Sequence, residues 1–426
     1  MNVGKLTDKL DFSWNKEELK LLKKISQNFI ESLKNSIKKT KINAEVFVGG
    51  SFARGTLERS EGIDIDIFVR FDWKYEDLSY ELEKIVKDIS KQKRLKYKKV
   101  HGSRDYFKII EEKIIFELIP VVKIKKPSEE RNITDLSYFH VNYIRKHLNE
   151  KMRHEVILLK KFCKAAKVYG AESYIGGFSG YALECLIVYY KTFEKTLKEL
   201  IKVKDKERLV IDPAKHYKKK NDIFFGMNEN KIAGPIILID PTWKERNVLS
   251  ALSLETLKDF QEKTNNFLKN PNERYFILEE FNEEKFKKQA EKNNTEFVKI
   301  TLETDRQEGD IAGTKMKKFS RYITADLKKY FEILEEEFIY QGGKSSSFYL
   351  LLKSKNEIIK IGPPLEREED VKMFKKVNKN AFEKNGYVHV KMIVDFSAKS
   401  FLEDFARIEK GRKLQEMGIT GMRVEQ

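Results

Sequence analysis

The feature that most constrains this chain is a short stretch in which two aspartates alternate with isoleucines, IDIDIFV at residues 63–69. Strict alternation in a run rich in Ile, Val and Phe predicts a β-strand, whose side chains point in turn to opposite faces. Asp64 and Asp66 therefore share one face of a strand that we expect to run from Ile63 to Phe71. This strand lies in an α/β block that we expect to end near residue 136.

Two adjacent carboxylates in a partly apolar setting repel each other, so either one is protonated or a positive charge sits between them. A divalent cation meets this need, and hard oxygen ligands suit Mg²⁺. Glu117, in the apolar run IIFELIP, is a third carboxylate that could join Asp64 and Asp66 from a neighbouring strand. Three such groups can hold two metal ions roughly 3.5–4 Å apart, one activating a hydroxyl and the other neutralising a leaving pyrophosphate.

A glycine turn, Gly49-Gly50-Ser51, precedes the aspartates, and Arg54 follows it. Glycines let backbone N–H groups approach a phosphate, the Ser51 hydroxyl adds a donor, and Arg54 could contact triphosphate oxygens. Each feature also has an ordinary explanation: a surface strand, a plain turn, or an edge position for Glu117. The order of glycine turn, paired aspartates and acidic strand is what favours a phosphate-transfer site.

The chain is strongly basic, with a net charge of +17 among 426 residues and a pI near 9.3. This excess favours a polyanionic partner, either nucleic acid or an anionic membrane surface. No apolar run approaches the roughly 18–20 residues of a membrane span, and the N-terminus has no apolar signal-peptide core. We therefore expect nucleic acid rather than membrane. The two cysteines, Cys163 and Cys185, form neither a metal motif nor a disulfide framework, which fits a reducing cytoplasm.

The length indicates two to four domains. We expect a head at residues 1–136, a largely helical central domain at 137–260, and α+β body and tail modules at 261–426. Within the head, 106–110 and 114–119 read as a hairpin, with Pro120 closing its second strand. Within the tail we expect a helix over 314–337 and a hairpin formed by 348–353 and 357–361.

These motifs resemble a known family. GGSFARGTL followed by DIDIFV and FELIP is similar to the signature of polymerase-β-type nucleotidyltransferases. Further segments resemble the archaeal-type (class I) CCA-adding tRNA nucleotidyltransferases. They are YFH at 138–140, NEKMRHEVILLKKFCKAAKVYGAE at 149–172, GFSGYALECLIVYY at 177–190, LIDPTWKERNVLSALSLETLKDF at 238–260, KIGPPLE at 360–366 and YVHV at 387–390.

The resemblance implies an α+β multidomain fold with a polymerase-β-like head and template-independent addition of C, C and A to the tRNA 3′ end. It implies CTP, ATP and the tRNA acceptor end as partners, two Mg²⁺ ions as cofactors, and no membrane. It also implies that His140, Lys160 and Tyr169 contact the triphosphate and that Arg246 reads the base edge. Ordinary roles stay open: solvated helix positions for Lys160 and Tyr169, a structural histidine, and an Arg246 paired with Glu245 or Asp240. The family's third metal ligand is usually Asp, whereas this chain has Glu117.

We expect the tail to bind the tRNA backbone through basic residues near the start of the 314–337 helix, namely Lys315, Lys317, Lys318 and Arg321. The alternative is that this cluster is only a solvated helix face. Two other functions stay open: another template-free RNA nucleotidyltransferase, such as a poly(A) or oligoadenylate synthase, and a non-catalytic RNA-binding protein on the same scaffold. The oligomeric state is also open, with a homodimer as one option.

Overall fold

The computed structural model describes residues 2–60, 62–409 and 412–426, which divide into two compact units, residues 1–279 and residues 280–426. The domain boundary expected at residue 260 falls inside the helix Leu254–Lys269. Phe260 and Phe267 of this helix are fully buried in a core of the first unit. The first unit therefore continues past the expected boundary.

The first unit contains a mixed sheet, a helical layer and a small second sheet. Its helices are α1 (Val3–Thr7), α2 (Lys16–Thr40), α3 (Gly50–Arg54), α4 (Leu78–Lys93), α5 (Ser137–His147), α6 (Glu150–Ala165), α7 (Gly180–Tyr190), α8 (Phe193–Leu200), α9 (Lys220–Gly226), α10 (Glu229–Ile232) and α11 (Leu254–Lys269), with 3₁₀ turns at Pro127–Glu129, Ile133–Leu136 and Glu273–Phe276. Its strands are β1 (Ala44–Val48), β2 (Ile63–Phe71), β3 (Tyr97–Val100), β4 (Tyr106–Glu111), β5 (Ile114–Val122), β6 (Leu209–Ile211), β7 (Ile236–Asp240) and β8 (Trp243–Asn247).

The head sheet has the strand order β1-β2-β5-β4-β3. β2 is antiparallel to β1 and parallel to β5, while β4 pairs antiparallel with both β5 and β3. Helix α2 begins with a capping box formed by Asn15 and Glu18, and its apolar stripe covers one face of the sheet. Phe29 of that stripe stacks on Phe116 of β5, with ring centroids 3.9 Å apart. One face of the sheet is thereby sealed, and the opposite face is left for polar side chains.

Pro120 does not close β5 as the sequence predicted; the strand continues through it to Val122. Pairing with β4 reaches only Leu118, whereas pairing with β2 continues through Val69 and Pro120. A strand position with one unpaired side accepts a residue that lacks an N–H group. The proline is therefore compatible with this position in the sheet.

The helical part of the first unit has its own core, separate from that of the head. Helices α6 and α7 contribute more of its buried residues than any other element, and Val3 and Leu6 of α1 join this core rather than that of the head. Strands β6, β7 and β8 form a three-stranded sheet beside it, with β7 in the centre. Strands β6 and β7 are parallel in this sheet.

The second unit carries two sheets of its own. Its helices are α12 (Glu283–Asn293), α13 (Asp310–Leu327), α14 (Glu368–Val377), α15 (Ala398–Glu409) and α16 (Lys413–Glu416), and its strands are β9 (Glu296–Glu303), β10 (Phe331–Tyr340), β11 (Ser345–Ser354), β12 (Glu357–Pro364), β13 (Ala381–Lys384), β14 (Tyr387–Ile393) and β15 (Gly421–Glu425). The strand orders are β10-β11-β9-β15 and β12-β14-β13. The mixed head sheet and these α+β modules confirm the expected fold class.

Two expectations for the second unit were wrong. The helix expected over 314–337 begins at Asp310, ends at Leu327, and gives way to strand β10. The glutamates of β10 suggested a helix, but they lie on an edge strand, where charged side chains remain in water. The hairpin of 348–353 with 357–361 does not form, because β11 is paired on both sides and β12 pairs with β14 in the other sheet.

Among the helices of the described residues, we find no candidate with both the length and the apolar character needed to span a membrane.

Candidate active site

Strand register places two of the three predicted carboxylates side by side. Asp66 on β2 lies directly opposite Glu117 on β5, and Asp64 precedes Asp66 by two residues on the same face. The alternation seen in the sequence is preserved, since Ile65 and Ile67 are fully buried on the other face. The structure therefore brings Asp66 and Glu117 together and leaves Asp64 at the more exposed end of the strand.

A lysine that was not predicted from the sequence lies next to Glu117 on the same face of the sheet. Lys108 on β4 lies opposite Glu117, and its Nζ is 2.6 Å from Glu117 Oε1. Burial lowers the pKa of Lys108, but the ion pair with Glu117 outweighs it and the net shift is upward. The only signal in the sequence was a charge alternating with Phe107 and Ile109 in an otherwise apolar strand.

The pKa of Asp66 reflects its burial next to another carboxylate. Burial, reinforced by the nearby Glu117, raises the pKa of Asp66 from its ordinary value of 3.8 to about 6, although the guanidinium of Arg54 opposes the shift. The ionised form of Asp66 is thus costly without further positive charge. A cation bound at this face would remove the cost.

The glycine turn lies against Asp66. The Gly49 N–H donates to the carbonyl of Asp66 at 2.8 Å. Gly50 has a φ of +60°, and a Cβ on it would be 1.6 Å from Asp66 Oδ2. No residue with a side chain fits there, since the carboxylate occupies that space and the backbone is left-handed. Gly50 therefore borders Asp66, and Ser51 follows it in α3.

The donor set fits a magnesium–nucleotide complex. Among the described residues, no group of three or more His, Cys, Asp or Glu side chains forms a ready-made metal shell. Mg²⁺ commonly keeps several waters and binds one or two carboxylates together with substrate phosphates. Asp64, Asp66 and Glu117 offer hard oxygen ligands on one sheet face. These carboxylates would hold the metal together with phosphate oxygens.

Arg54 and Lys160 meet at a buried glutamate, Glu184, which is fully inaccessible to solvent. Glu184 Oε2 is 2.6 Å from Arg54 Nε, and Glu184 Oε1 is 3.0 Å from Lys160 Nζ. Thr56 donates its hydroxyl to Glu184 Oε1 at 2.5 Å and accepts from Lys160 Nζ at 3.0 Å. We call Arg54, Thr56, Lys160 and Glu184 the Glu184 cluster.

Opposite charges explain how these groups stay ionised out of water. Burial alone would raise the pKa of Glu184, yet Arg54 and Lys160 together lower it. Lys160 is 3% exposed, and burial lowers its pKa despite the attraction of Glu184. Lys160 is therefore not a solvated helix position. Glu184 and Thr56 were missed in the sequence, where Glu184 appears only as a single charge in the apolar run ALECLIVYY.

Tyr169 borders the same cluster. A Cβ on Gly180, the first residue of α7, would be 2.8 Å from the Tyr169 hydroxyl and 3.7 Å from Lys160 Nζ. Burial, with Glu184 nearby, raises the pKa of Tyr169 to about 12. Tyr169 is thus a neutral hydroxyl at neutral pH. Packing requires glycine at position 177 of the GFSGY segment, because a Cβ on Gly177 would be 2.1 Å from the Val168 carbonyl oxygen.

His140 and Arg246 meet at a second buried carboxylate, Asp240. Asp240 Oδ2 is 2.9 Å from His140 Nε2 and 2.6 Å from Arg246 Nη1. Asp240 Oδ1 accepts from the Tyr181 hydroxyl at 3.1 Å, and the Tyr181 ring stacks on His140. We call His140, Tyr181, Asp240 and Arg246 the Asp240 cluster.

Opposite charges favour the ionised form of Asp240 in this cluster. Burial opposes ionisation of Asp240, but His140 and Arg246 hold its pKa well below its usual range. Burial lowers the pKa of His140 despite Asp240. The pairing of Arg246 with Asp240 is the alternative that the sequence left open, whereas the contacts of Asp240 with His140 and Tyr181 were not predicted.

Charged groups of the two clusters and of the carboxylate face shift one another's pKa values. The charge of Asp66 raises the pKa of Arg54 and of Lys160, and the charge of Arg54 lowers that of His140. Such mutual effects require the groups to lie near one another. Six residues predicted from the sequence as nucleotide contacts thus lie against Asp66 or in and beside the two clusters, namely Gly50, Arg54, His140, Lys160, Tyr169 and Arg246. Ser51 follows Gly50 in the chain.

The basic residues predicted to bind RNA lie on α13 of the second unit, but not all on one face. Lys318 and Arg321 are exposed and Lys315 is half-buried. Lys317 points towards β10, with its Nζ 5.1 Å from the centre of the Phe338 ring. Helical spacing brings Lys315, Lys318 and Arg321 onto a shared side.

Comparison with known proteins adds independent information. A family model described as a nucleotidyltransferase domain matches residues 30–135, and one described as the second domain of tRNA nucleotidyltransferases matches residues 154–277. The chain is 33% identical to the CCA-adding enzyme of Nanoarchaeum equitans over 374 residues, which cover 88% of this chain and 90% of that protein. It is 32% identical to the CCA-adding enzyme of Sulfurisphaera tokodaii over 301 residues, covering 70% and 66%.

Among solved structures, one of the Cid1 poly(U) polymerase aligns with a TM-score of 0.49 and 12% identity, covering 63% of this chain and 95% of that chain. At this distance the likeness bears on neither substrate nor nucleotide choice.

Proposed function

The chain belongs to the CCA-adding enzymes, and from this premise we propose that it adds C, C and A to the 3′ end of tRNA from CTP and ATP, without a nucleic-acid template, releasing pyrophosphate. The structural observation that carries the proposal is the side-by-side placement of Asp66 and Glu117 against the Gly50 turn. Nucleotidyl transfer needs anionic oxygens to hold metal ions beside a triphosphate, and these residues supply them.

Nucleotidyltransferases generally use divalent metal ions. We propose two Mg²⁺ ions here, held by Asp64, Asp66 and Glu117 together with phosphate oxygens. When bound, the ions would lower the pKa of the RNA 3′ hydroxyl and neutralise the leaving pyrophosphate. The carboxylates would hold the ions on one face of the head sheet, and the isoleucines on the other face are buried in the core and fix the strand in place.

The Glu184 cluster positions two cations for the triphosphate. Arg54 and Lys160 are held by Glu184 and bear on Asp66 electrostatically, so their charge is directed towards the carboxylate face. Gly50 offers a turn into which phosphate can approach, and Ser51 and Tyr169 offer hydroxyl donors. Cations and donors held before the substrate arrives need not reorganise during the reaction.

The Asp240 cluster supports recognition of the nucleotide. Asp240 fixes Arg246 and His140 in one arrangement, which limits the directions in which the guanidinium can donate. We assign base reading to Arg246 and a triphosphate contact to His140. In the second unit, Lys315, Lys317, Lys318 and Arg321 would contact the tRNA backbone. We also place the protein in the cytoplasm, consistent with its buried, unpaired Cys163 and Cys185, and a homodimer stays one option.

The proposal is tested by incubating a tRNA that lacks CCA with labelled CTP, ATP and Mg²⁺. We expect two C and one A to be incorporated and addition then to stop. Continued A addition would point to a poly(A) or oligoadenylate synthase. Binding of the tRNA without incorporation would point to a non-catalytic protein. A tRNA that already ends in CCA is the matched control, and it should accept no label.

A further inference from the structure

Three charged side chains form a row across three adjacent strands of the head. Lys108 on β4 lies opposite Glu117 on β5, and Glu117 lies opposite Asp66 on β2. Directly opposed residues point to the same face of a sheet, so all three project to the side that carries the carboxylates. The order along the row is cation, anion, anion.

Lys108 is fixed in this row. Its Nζ is 2.6 Å from Glu117 Oε1, and the two side chains are 33% and 17% exposed. A contact this short between partly shielded groups is a charge-assisted hydrogen bond. An ammonium so placed occupies one of the oxygens that a metal ion would need from Glu117. The metal and the lysine therefore bind the same carboxylate.

We propose that Lys108 is a positioning residue that holds Glu117 in the metal-free protein and competes with the divalent cation for it. Metal binding then includes a step in which the Glu117–Lys108 pair opens. This ion pair lowers the intrinsic metal affinity of the site, and it keeps Glu117 oriented until the metal arrives. The inference rests on the proposed function, because it takes Glu117 as a metal ligand.

The test is metal affinity without nucleotide or RNA. Binding of Mn²⁺, used as a paramagnetic probe for Mg²⁺, is measured by the loss of the free-ion resonance signal. Lys108→Met keeps an apolar side chain of similar length and removes the charge. We expect it to bind Mn²⁺ more tightly, by roughly three- to tenfold, since a partly exposed ion pair no longer has to open. Unchanged or weaker binding would overturn the proposal.

Two controls separate this effect from a general change in charge. Lys123→Met removes a lysine that pairs with Glu45 at 2.7 Å in the same head, and its Mn²⁺ affinity should stay within about twofold of the wild type. Lys108→Arg keeps the competing cation, so it should not tighten binding. Tightening by Lys123→Met to the same degree would refute a specific role for Lys108. If Lys108→Met does not give a normal melting curve, Lys108→Gln replaces it under the same criteria.

Variants of Glu117, alone and combined with Lys108→Met, separate a failure of the ligand assignment of Glu117 from a failure of the proposed role of Lys108. Glu117→Gln should weaken Mn²⁺ binding, and adding Lys108→Met to it should give little further gain because the shared carboxylate is gone. If Glu117→Gln leaves Mn²⁺ affinity unchanged, the assignment of Glu117 as a ligand fails, and the proposed metal site of Asp64, Asp66 and Glu117 with it. If Glu117→Gln weakens binding but Lys108→Met does not strengthen it, only the role of Lys108 fails.

Discussion

At the scale of single residues, the carboxylates of β2 and β5 should be needed for chemistry and not for RNA binding. We predict that Asp66→Ala or Glu117→Ala abolishes nucleotide incorporation while leaving tRNA affinity largely intact. The reason is that both carboxylates hold metal ions, whereas RNA binding depends on basic side chains. Incorporation assays and tRNA gel shifts on the same preparations measure the two properties.

The matched control is Glu45→Ala, which removes a carboxylate from β1 of the same sheet, where Glu45 pairs with Arg70 and Lys123. Its incorporation should be close to that of the wild type. Near-normal activity in either the Asp66 or the Glu117 variant would contradict the metal assignment.

Asp66 also predicts a pH dependence of stability. Because the pKa of Asp66 is raised from 3.8 to about 6, the folded state binds more protons than the unfolded state between these values. The contribution of Asp66 to stability is therefore fully present below pH 3.8 and lost as the pH rises through about 6. Asp66→Asn should stabilise the metal-free protein at pH 8 by roughly 2 kcal/mol, with the gain shrinking towards pH 4.

Denaturant unfolding of both proteins at pH 4, 6 and 8 measures this difference. Saturating Mg²⁺ should reduce or reverse the gain at pH 8, because the metal neutralises the ionised carboxylate only in the wild type. A stability difference that does not change with pH would show that the pKa of Asp66 is not raised in the folded protein.

Substitution of Arg246 distinguishes a base-reading role from a purely structural one. Arg246→Ala should lower the preference for CTP and ATP over UTP and GTP by roughly ten- to hundredfold, the usual effect of losing one base-reading contact. It should also lower stability, because Asp240 loses a partner 2.6 Å away. Incorporation of all four nucleotides is measured beside a melting curve.

Tyr181→Phe is the control for this substitution, since it removes a hydrogen bond to Asp240 and leaves Arg246 in place. We expect reduced stability with selectivity retained. Equal loss of selectivity in both variants, or unchanged selectivity in a destabilised Arg246→Ala, would assign the arginine a structural role only.

At the scale of secondary-structure elements, a buried charge on α7 ties three helices together. Glu184 contacts Arg54 of α3 and Lys160 of α6, and Thr56 follows α3 closely. Glu184→Ala leaves two buried cations without their carboxylate. We expect it to destabilise the protein by about 3–5 kcal/mol, the usual cost of breaking a buried ion pair from one side.

Glu199→Ala, which removes an exposed pair with Lys202 on the edge of α8, should change stability by less than about 0.5 kcal/mol. Denaturant midpoints for the two variants provide the comparison. A small effect of Glu184→Ala would mean that Arg54 and Lys160 find other partners, and that the cluster does not fix the helices.

At the scale of the whole molecule, the binding of tRNA should depend strongly on salt. Replacing Lys318 or Arg321 with Ala should weaken the binding of different tRNAs alike, and each lost phosphate contact should reduce the slope of log K against log salt by roughly 0.7–0.9. Lys317→Ala should have a smaller effect, because its ammonium lies over the Phe338 ring.

The control for this series is Lys329→Ala in the same unit, where Lys329 pairs with Asp326 at 2.5 Å. Binding titrations at several salt concentrations measure the slopes. A slope unaffected by Lys318→Ala and Arg321→Ala would show that this face of α13 is simply solvated, and salt-insensitive binding of the wild type would exclude the electrostatic mechanism altogether.

The sequence alone determined the features that depend on neighbouring residues. Alternation set strand β2 and the shared face of Asp64 and Asp66. The order of motifs also identified the family and the fold class, which the comparisons confirmed. Local patterns suffice for these because backbone periodicity decides which side chains share a face.

The tertiary structure alone decided which distant residues meet. Thr56 and Glu184 are separated by 128 positions and are hydrogen-bonded, and Lys108 meets Glu117 only because β4 pairs with β5 in one register. Strand β10 was mistaken for a helix because its glutamates satisfy helical propensity, while pairing with β11 makes it a strand. Partners of buried charges and strand pairings are set by the packing of the whole chain, and a local pattern of residues does not encode them.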